Sequence, residues 1–400
     1  MSRSPSHRGR PLEVFKAFLL LGLTSFGGPV AHLGYFRHEF VARRNWLGEQ
    51  DYADLVALCQ FLPGPASSQV GFALGLLRAG PWGAALAWVA FTLPSALLLV
   101  AFALGASRLE GTVGAGLVHG LKVAAVAIVA QAVWGMARNL CPDHRRTGIA
   151  LAAVFTVVLV AGPLGQVTAI LVGVLAGLAL CRSGGDESPR APLALPVSHR
   201  AGSLALVAFL LLLGGLPVLT LATVSPTLDL LDAFYRAGAL VFGGGHVVLP
   251  LLEAEVVQSG WLSSDIFLAG YGAAQAVPGP LFTFAAYLGS VLEIGPGGLT
   301  GAALALIAIF VPGLLLLVAV MPFWNTLRHW AAAQSAMRGA NAAVVGILGG
   351  ALYHPVWTGA ILGPEQFALA LAGFLLLVRW QLPAWAVVGL LAVSGIVIAP

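Results

Sequence analysis

The sequence predicts an all-α polytopic membrane protein built from two inverted homologous repeats with interrupted or re-entrant helices. Three observations lead to this fold class: the composition, a motif that occurs twice, and the placement of basic residues. Hydrophobic residues make up 59% of the 400 residues and charged residues only 9%, and the mean hydropathy is +0.92. This balance excludes a water-soluble protein with a charged shell. The lipid bilayer is therefore the first partner that the sequence predicts.

The motif is Phe-Gly-Gly followed about 35 residues later by Gln-x-x-Pro-Gly-Pro. Its first copy lies between Phe26 and Pro65, and its second between Phe242 and Pro280. The correspondence continues at an offset of 214 to 219 residues and includes Gly120 against Gly339. Two homologous units therefore make up the chain. Paired units with helix breaks at matched positions are typical of transporters whose site lies at the breaks.

The first repeat is predicted over residues 1–181 and the second over residues 226–400, with a polar linker and one odd connecting span at 182–225 between them. The first repeat opens with a tail that carries three arginines and no cleavage site. We therefore expect a cytosolic tail and not a signal peptide.

Nine apolar stretches have about the length needed to cross a bilayer, some of them short. They are residues 81–106, 112–136, 148–162, 165–181, 203–222, 296–320, 335–353, 365–379 and 383–399. Two further stretches in each repeat are interrupted by Gly and Pro in the middle, at 12–44 and 52–77 and again at 228–256 and 266–292.

The basic residues test the topology. With a cytoplasmic N-terminus and every stretch crossing once, most loop arginines lie inside, as the positive-inside rule requires. Two loops are exceptions: a basic loop would lie outside (Arg37, Arg43 and Arg44), and an acidic loop without basic partners would lie inside (Glu253, Glu255 and Asp265). Both exceptions disappear if the interrupted stretches are re-entrant hairpins. An odd number of crossings separates the repeats in either case, so they are inverted, and the C-terminus lies outside the inner (plasma) membrane.

The motifs resemble the CHR family of chromate ion transporters in its long, two-domain form. The resemblance rests on the segment from Phe26 to Gly34, on the segment from Phe242 to His246 with Pro250 and Leu251, and on both Pro-Gly-Pro segments. It implies a secondary transporter that exports chromate, driven by the proton motive force or the membrane potential, with protons as coupling ion and sulfate as the isosteric competitor. The second repeat departs at two positions, with Gly245 in place of Pro29 and Asn341 in place of Lys122.

The residues at the breaks independently favour an anion site. A helix that restarts after Gly64 offers free backbone N–H groups and a positive dipole end, which bind tetrahedral oxyanions. The glycines let the backbone approach a ligand closely; the alternative is that they only permit close packing between helices. The candidates in this group are the hydroxyls Ser67, Ser68 and Thr283 and the glycines Gly27, Gly28, Gly64, Gly243, Gly244 and Gly279.

Polar side chains within apolar sequence form a second group of candidate substrate-binding residues. Lys122 lies in an apolar helix where an unpaired ammonium is costly, so a substrate oxyanion, a distant carboxylate or snorkelling must stabilise it; Arg236 poses the same question. The histidines His32 and His246 could donate to an oxyanion or be satisfied by backbone carbonyls. The remaining candidates are Gln60 and Gln275, which could instead bond the exposed backbone, and Asn341, the counterpart of Lys122.

Several other functions are disfavoured. No hydrolase, metalloprotease, nucleotide-binding or dinucleotide-binding fingerprint is present, and the three cysteines are isolated, so we expect no cofactor, no metal site and no ATP-driven pump. The basic residues lie in loops, not on one face with interleaved aromatics, so nucleic acid is not an expected partner. An intramembrane enzyme is the alternative from another class, although no nucleophile has a base nearby in sequence. The sequence leaves the oligomeric state open and allows a homodimer.

Overall fold

The computed structural model describes residues 9–106, 111–181 and 195–398, and no strand occurs among them. Most of the predicted tail (residues 1–8) and most of the predicted linker (residues 182–194) lie outside the described residues. The helices of the first repeat are α1 (Pro11–Thr24), α2 (Gly28–Phe36, extended as a π-helix over Arg37–Arg43), α3 (Glu49–Phe61), α4 (Ala66–Ala106), α5 (Gly111–Leu140), α6 (His144–Leu159) and α7 (Gly162–Leu180).

A connecting helix, α8 (His199–Ala222), leads into the second repeat. The helices of that repeat are α9 (Pro226–Ala239), α10 (Val248–Val256), α11 (Ser264–Ala274), α12 (Phe284–Val291), α13 (Gly298–Val320), α14 (Trp324–Leu327), α15 (Ala331–Ala351), α16 (Thr358–Ala360), α17 (Pro364–Val378) and α18 (Ala384–Ile398). Short 3₁₀ turns at Gly245–Val247 and Leu281–Thr283 precede α10 and α12.

Helices α1 and α2 form the first re-entrant hairpin. The chain reverses at Gly27 and Gly28, whose φ angles are +101° and +77°, a region that glycine adopts without steric cost. Both open ends of the hairpin meet Arg78: its guanidinium lies 3.2 Å from Glu13, near the start of α1, and 5.2 Å from the ring centre of Trp46, beyond α2. Both ends therefore lie at one face of the molecule, which we call the first face.

Helix α3 and the beginning of α4 form the second hairpin, which reverses at Pro63-Gly64-Pro65. Helix α4 itself folds back at Ala79 and Gly80, where the backbone is not helical. A Cβ at Gly75 would overlap the Gly83 carbonyl, so residues 66–78 and 81–106 run antiparallel in close contact. The same contact recurs in the second repeat between Gly289 and Gly301. The interrupted stretches thus fold back as hairpins, which is one of the two arrangements that the sequence left open.

The last three long helices of each repeat are exchanged between the repeats. Helix α5 packs against α17 and α18, and its counterpart α15 packs against α6 and α7. Glycines make both contacts close: Gly395 lies against Gly120, and Gly177 lies against Gly339. Because small residues let helix backbones approach in a membrane, these pairs fix the two halves to each other. The pairs are related by the repeat offset, so one two-fold relation describes both.

The path of the chain places the ends of the described chain at opposite faces. Gly9 bonds to the Arg78 carbonyl at the first face (3.0 Å), and residues 81–106 then lead to the opposite side, which we call the second face. Near the other end of the chain, Gly395 packs on Gly116 close to the start of α5, at the second face. The hairpins of the second repeat enter from that second face, since Gly295, in the turn before α13, lies against Pro226 at the start of α9.

The exterior of the molecule is apolar. Five helical stretches among the described residues have the length and hydropathy of membrane spans. Helix α8 exposes one apolar side chain after another, for example Leu211 and Leu221, and a soluble protein would bury such a surface. The protein is therefore a multi-pass membrane protein, and the prediction of an all-α fold with two repeats is confirmed.

Candidate functional site

The four helix breaks meet in the interior, and each repeat supplies a hydrogen-bond acceptor to a break of the other repeat. The Gly64 amide donates to the Val241 carbonyl (2.7 Å), and the Gly279 amide donates to the Ser25 carbonyl (2.8 Å). Gly64 and Gly279 are the central residues of the two Pro-Gly-Pro segments, while Ser25 and Val241 each precede a Phe-Gly-Gly segment. The two hydrogen bonds are thus equivalent under the repeat, and each satisfies a backbone group that lipid could not.

A cavity of about 980 Å³ extends from these breaks to the first face. Its walls come from α2, α3, the end of α5, α14, the start of α15 and the end of α17. Of the residues predicted from the sequence, it brings together Gly27, Gln60, Gly64, Gly243, Gly244, His246 and Asn341.

Three arginines that the sequence did not single out as site residues also line the cavity: Arg138, Arg328 and Arg338. Asp54 is the one acidic residue among the described lining residues, and it lies 3.3 Å from Arg328. The cavity therefore carries an excess of positive charge, which raises the local concentration of anions. The positive-inside rule interprets such arginines as topology signals, so sequence alone gave no separate indication of a binding role.

Neutral polar side chains at the cavity add to this anion preference. The Asn341 Oδ1 atom is buried and has no hydrogen-bond partner. Gln60 is exposed to the cavity, and the His246 Nδ1 atom shares a hydrogen bond with the Tyr271 hydroxyl at 3.0 Å. Gln131, Gln334 and Gln381 supply further amides. An amide can rotate to donate to an oxyanion.

Other predicted residues lie at or behind the hairpin tips and do not line the cavity. Ser67, Ser68 and His32 are buried in the first repeat, with His32 Nδ1 3.4 Å from Ser67 Oγ. Thr283 donates its hydroxyl to the Pro280 carbonyl (2.7 Å). The remaining members of this group are Gly28, Gln275 and Gly279. The hydroxyls predicted to strengthen a helix N-terminus are therefore not brought to the cavity.

The two predicted cations lie away from the cavity and are paired. Lys122 Nζ lies 2.6 Å from Asp265 Oδ1, which is the distant carboxylate that the sequence left open. Arg236 makes two bonds to Glu255 (2.8 and 2.9 Å) and lies 3.0 Å from Asp232. The expectation that Asp265 and Glu255 lack basic partners is therefore wrong, because each finds its partner on another helix: Asp265 on α5 of the other repeat and Glu255 on the preceding helix, α9.

The surroundings of the glycines test the alternative that these residues only permit close packing between helices. A Cβ at Gly28 or Gly244 would meet nothing within 4 Å, so close helix packing does not explain either residue. Their φ angles of +77° and +146° do, because the chain must reverse there. Gly64 and Gly279 are different: an added Cβ would lie 3.0 Å from Gly313 Cα and 2.7 Å from Ser95 Oγ, respectively.

Comparison with known proteins agrees with this architecture. The family model described as "Chromate transporter" matches residues 12–180 and, a second time, residues 228–396. The chain belongs to the chromate transporter family. Both matches coincide with the two structural repeats, each with its two hairpins and exchanged helices. No solved structure matches the chain.

Curated relatives cover most of the chain. A probable chromate transport protein of Synechococcus elongatus is 29% identical over 85% of this chain and 83% of its own length. A chromate transport protein of Cupriavidus metallidurans is 30% identical over 87% and 83%, and one of Pseudomonas aeruginosa is 29% identical over 75% and 70%. These relatives and the family are transporters and not enzymes.

Proposed function

We propose that this member of the chromate transporter family is a secondary transporter that exports chromate across the inner membrane. The observation that carries the proposal is the positively lined cavity at the crossing of the four helix breaks. Three arginines lie along its walls, and the breaks supply backbone groups near its inner end. Tetrahedral oxyanions are bound by such combinations of cations, amides and backbone dipoles.

The direction of transport follows from charge. We assign the first face to the cytoplasm, with the N-terminus inside and the C-terminus outside, because Arg138, Arg145, Arg146, Arg328 and Arg338 all lie towards that face. With the inside negative, expelling a dianion gains roughly 2 × 2.3 kcal/mol per 100 mV. The membrane potential alone therefore favours export, and protons are the coupling ion that a proton-driven cycle would add.

Everted membrane vesicles test the substrate and the direction together. Chromate uptake is measured with a membrane potential alone, with a pH gradient alone, and with excess sulfate as competitor. Uptake that follows the potential supports export of the dianion, and uptake that needs the pH gradient identifies proton coupling. Vesicles that accumulate sulfate in preference to chromate would identify sulfate as the natural substrate, and vesicles that take up neither ion would contradict the transport proposal.

Labelling of introduced cysteines tests the orientation. His144 is the first residue of α6, at the first face, and Leu362 is exposed at the second face, between α16 and α17. In intact cells, an impermeant maleimide should label a cysteine at 362 and not one at 144; in everted vesicles the pattern should reverse. Labelling of both positions from the same side would contradict the inversion of the repeats.

A further inference from the structure

The ion pair between Lys122 and Asp265 joins the two repeats where they meet near the second face. Lys122 lies on α5 of the first repeat, and Asp265 lies in the first turn of α11 in the second repeat. The side chain of Lys122 is only 8% exposed, whereas that of Asp265 is 67% exposed. The pair therefore has one partner inside the helix contact and one at its rim.

The Lys122–Asp265 pair lies at a closed contact between two helices, whereas the equivalent contact between the counterparts of these helices is open. Helix α11 packs directly on α5, so closely that a Cβ at Gly272 would overlap the Leu121 carbonyl. The counterparts of these helices are α3 and α15. Among the described residues they are not packed against each other, and both line the cavity at the first face.

The repeat relation assigns a counterpart to each residue near the pair. Gly120 corresponds to Gly339, so Lys122 corresponds to Asn341 and His119 corresponds to Arg338. Both Asn341 and Arg338 line the cavity. His119 lies close enough to Lys122 and Asp265 to interact with both electrostatically. If the repeats exchanged conformations, α11 would leave α5, and Lys122 and His119 would line an equivalent cavity at the second face.

We propose that the Lys122–Asp265 pair is the gate at the second face, and that when the gate opens Lys122 exchanges the Asp265 carboxylate for the transported oxyanion. The inference rests on the proposed function for the identity of the ligand. The exchange gives the ammonium an anionic partner in both states, which a buried cation in a membrane requires. Asp265, at the rim, is left hydrated.

Hydrogen–deuterium exchange of the purified, full-length protein tests the gate without relying on transport. In Asp265→Asn, deuterium uptake should rise severalfold in residues 264–274 and fall in residues 49–61, because opening at the second face closes the cavity at the first. The charge-swapped double variant Lys122→Asp with Asp265→Lys should restore the parental pattern. Asp143→Asn, which removes an exposed pair with Arg146 at the first face, is the matched control and should change neither segment.

The role of Lys122 in holding the anion is tested with chromate and sulfate as the probes. Either ion should raise uptake in residues 264–274 of the parent and should have no effect in Lys122→Met. Uptake that rises in Asp265→Asn throughout α11 and α13 without a fall in residues 49–61 would show a purely structural pair and overturn the gate. The two proposals can also fail separately. If the parent transports neither ion, but Asp265→Asn still raises deuterium uptake in residues 264–274 and lowers it in residues 49–61, the proposed function is overturned and the gate is retained.

Discussion

The hairpins of the two repeats share a sequence motif but occupy different environments. In the first repeat they face the cavity: Val30, just after the first break, is 82% exposed, and Gln60 is exposed as well. In the second repeat the corresponding helices are enclosed, and residues 247–256 and 281–289 are buried without exception. One chain therefore displays an open and a closed packing of the same unit, and we interpret the difference as the two halves of an alternating-access cycle.

The interiors of the hairpins also differ in polarity. Behind the tips of the first repeat lie Ser25, His32, Ser68 and Thr92, all buried and each with a polar atom that has no hydrogen-bond partner. The matched positions of the second repeat are Val241, Val248, Thr283 and Phe310. The second repeat thus closes around a mainly apolar interior, and the first repeat accepts the cost of burying polar groups.

The largest effect is expected at the crossing of the breaks. Gly64→Ala and Gly279→Ala each place a Cβ against the other repeat at a positive φ. In each variant, the backbone strain and the steric overlap add up to a local cost of about 2 to 6 kcal/mol. Each variant should retain less than about a tenth of parental transport, measured in everted vesicles. The two tips should matter equally, because each repeat is used in both states. Normal transport in one variant alone would show that the repeats do not alternate.

A smaller effect is expected from the charge of the open cavity. Arg338→Gln and Arg138→Gln should each weaken chromate binding about tenfold, equivalent to about 1.4 kcal/mol, because each removes a cation from the cavity wall. Half-saturation of uptake in everted vesicles measures the change. Arg145→Gln is the control, since Arg145 lies at the same face and bonds the Leu180 carbonyl (2.9 Å) outside the cavity. Equal losses in all three variants would show a general surface potential and not a site.

The reversal glycines should respond similarly in both repeats. A Cβ at Gly28 or Gly244 meets nothing within 4 Å, so the positive φ is the penalty expected in Gly28→Val and Gly244→Val, about 1 to 3 kcal/mol each. Each variant should insert and melt a few degrees lower, with transport strongly reduced because the tip is displaced. Thermal melting and vesicle uptake are measured on the same preparations. Near-normal uptake by both variants would assign no functional role to these tips.

The smallest effect tests the polarity difference between the interiors. Thr92 Oγ1 has no hydrogen-bond partner, so Thr92→Val should raise the free energy of unfolding by about 1 kcal/mol. Thr283→Val removes a hydroxyl that donates to Pro280 and should lower it by a similar amount. Melting in detergent decides the signs. A loss of stability in Thr92→Val would indicate that the hydroxyl has a partner, such as a buried water.

The sequence was sufficient for the repeats and the breaks, because these features depend on local chemistry: glycine at positive φ, proline without an amide, and apolar length. It left open whether the interrupted stretches cross the membrane or fold back as hairpins. It was insufficient for the contacts between repeats. Nothing local indicates that Gly64 bonds to Val241, or that Lys122 finds Asp265 143 residues away. The cavity arginines were missed for a different reason, since the same residue type serves both as a topology signal and as an anion ligand.

The reciprocal hydrogen bonds at the breaks also affect biogenesis. The Gly64 amide enters the bilayer long before its acceptor, the Val241 carbonyl, has been synthesised. At roughly 5 to 20 residues per second, the delay between them is on the order of 10 s. During that time the first half of the nascent chain holds an unsatisfied amide at membrane depth, which is costly in hydrocarbon. We therefore expect the first repeat to reach its final packing only after the second repeat has been inserted.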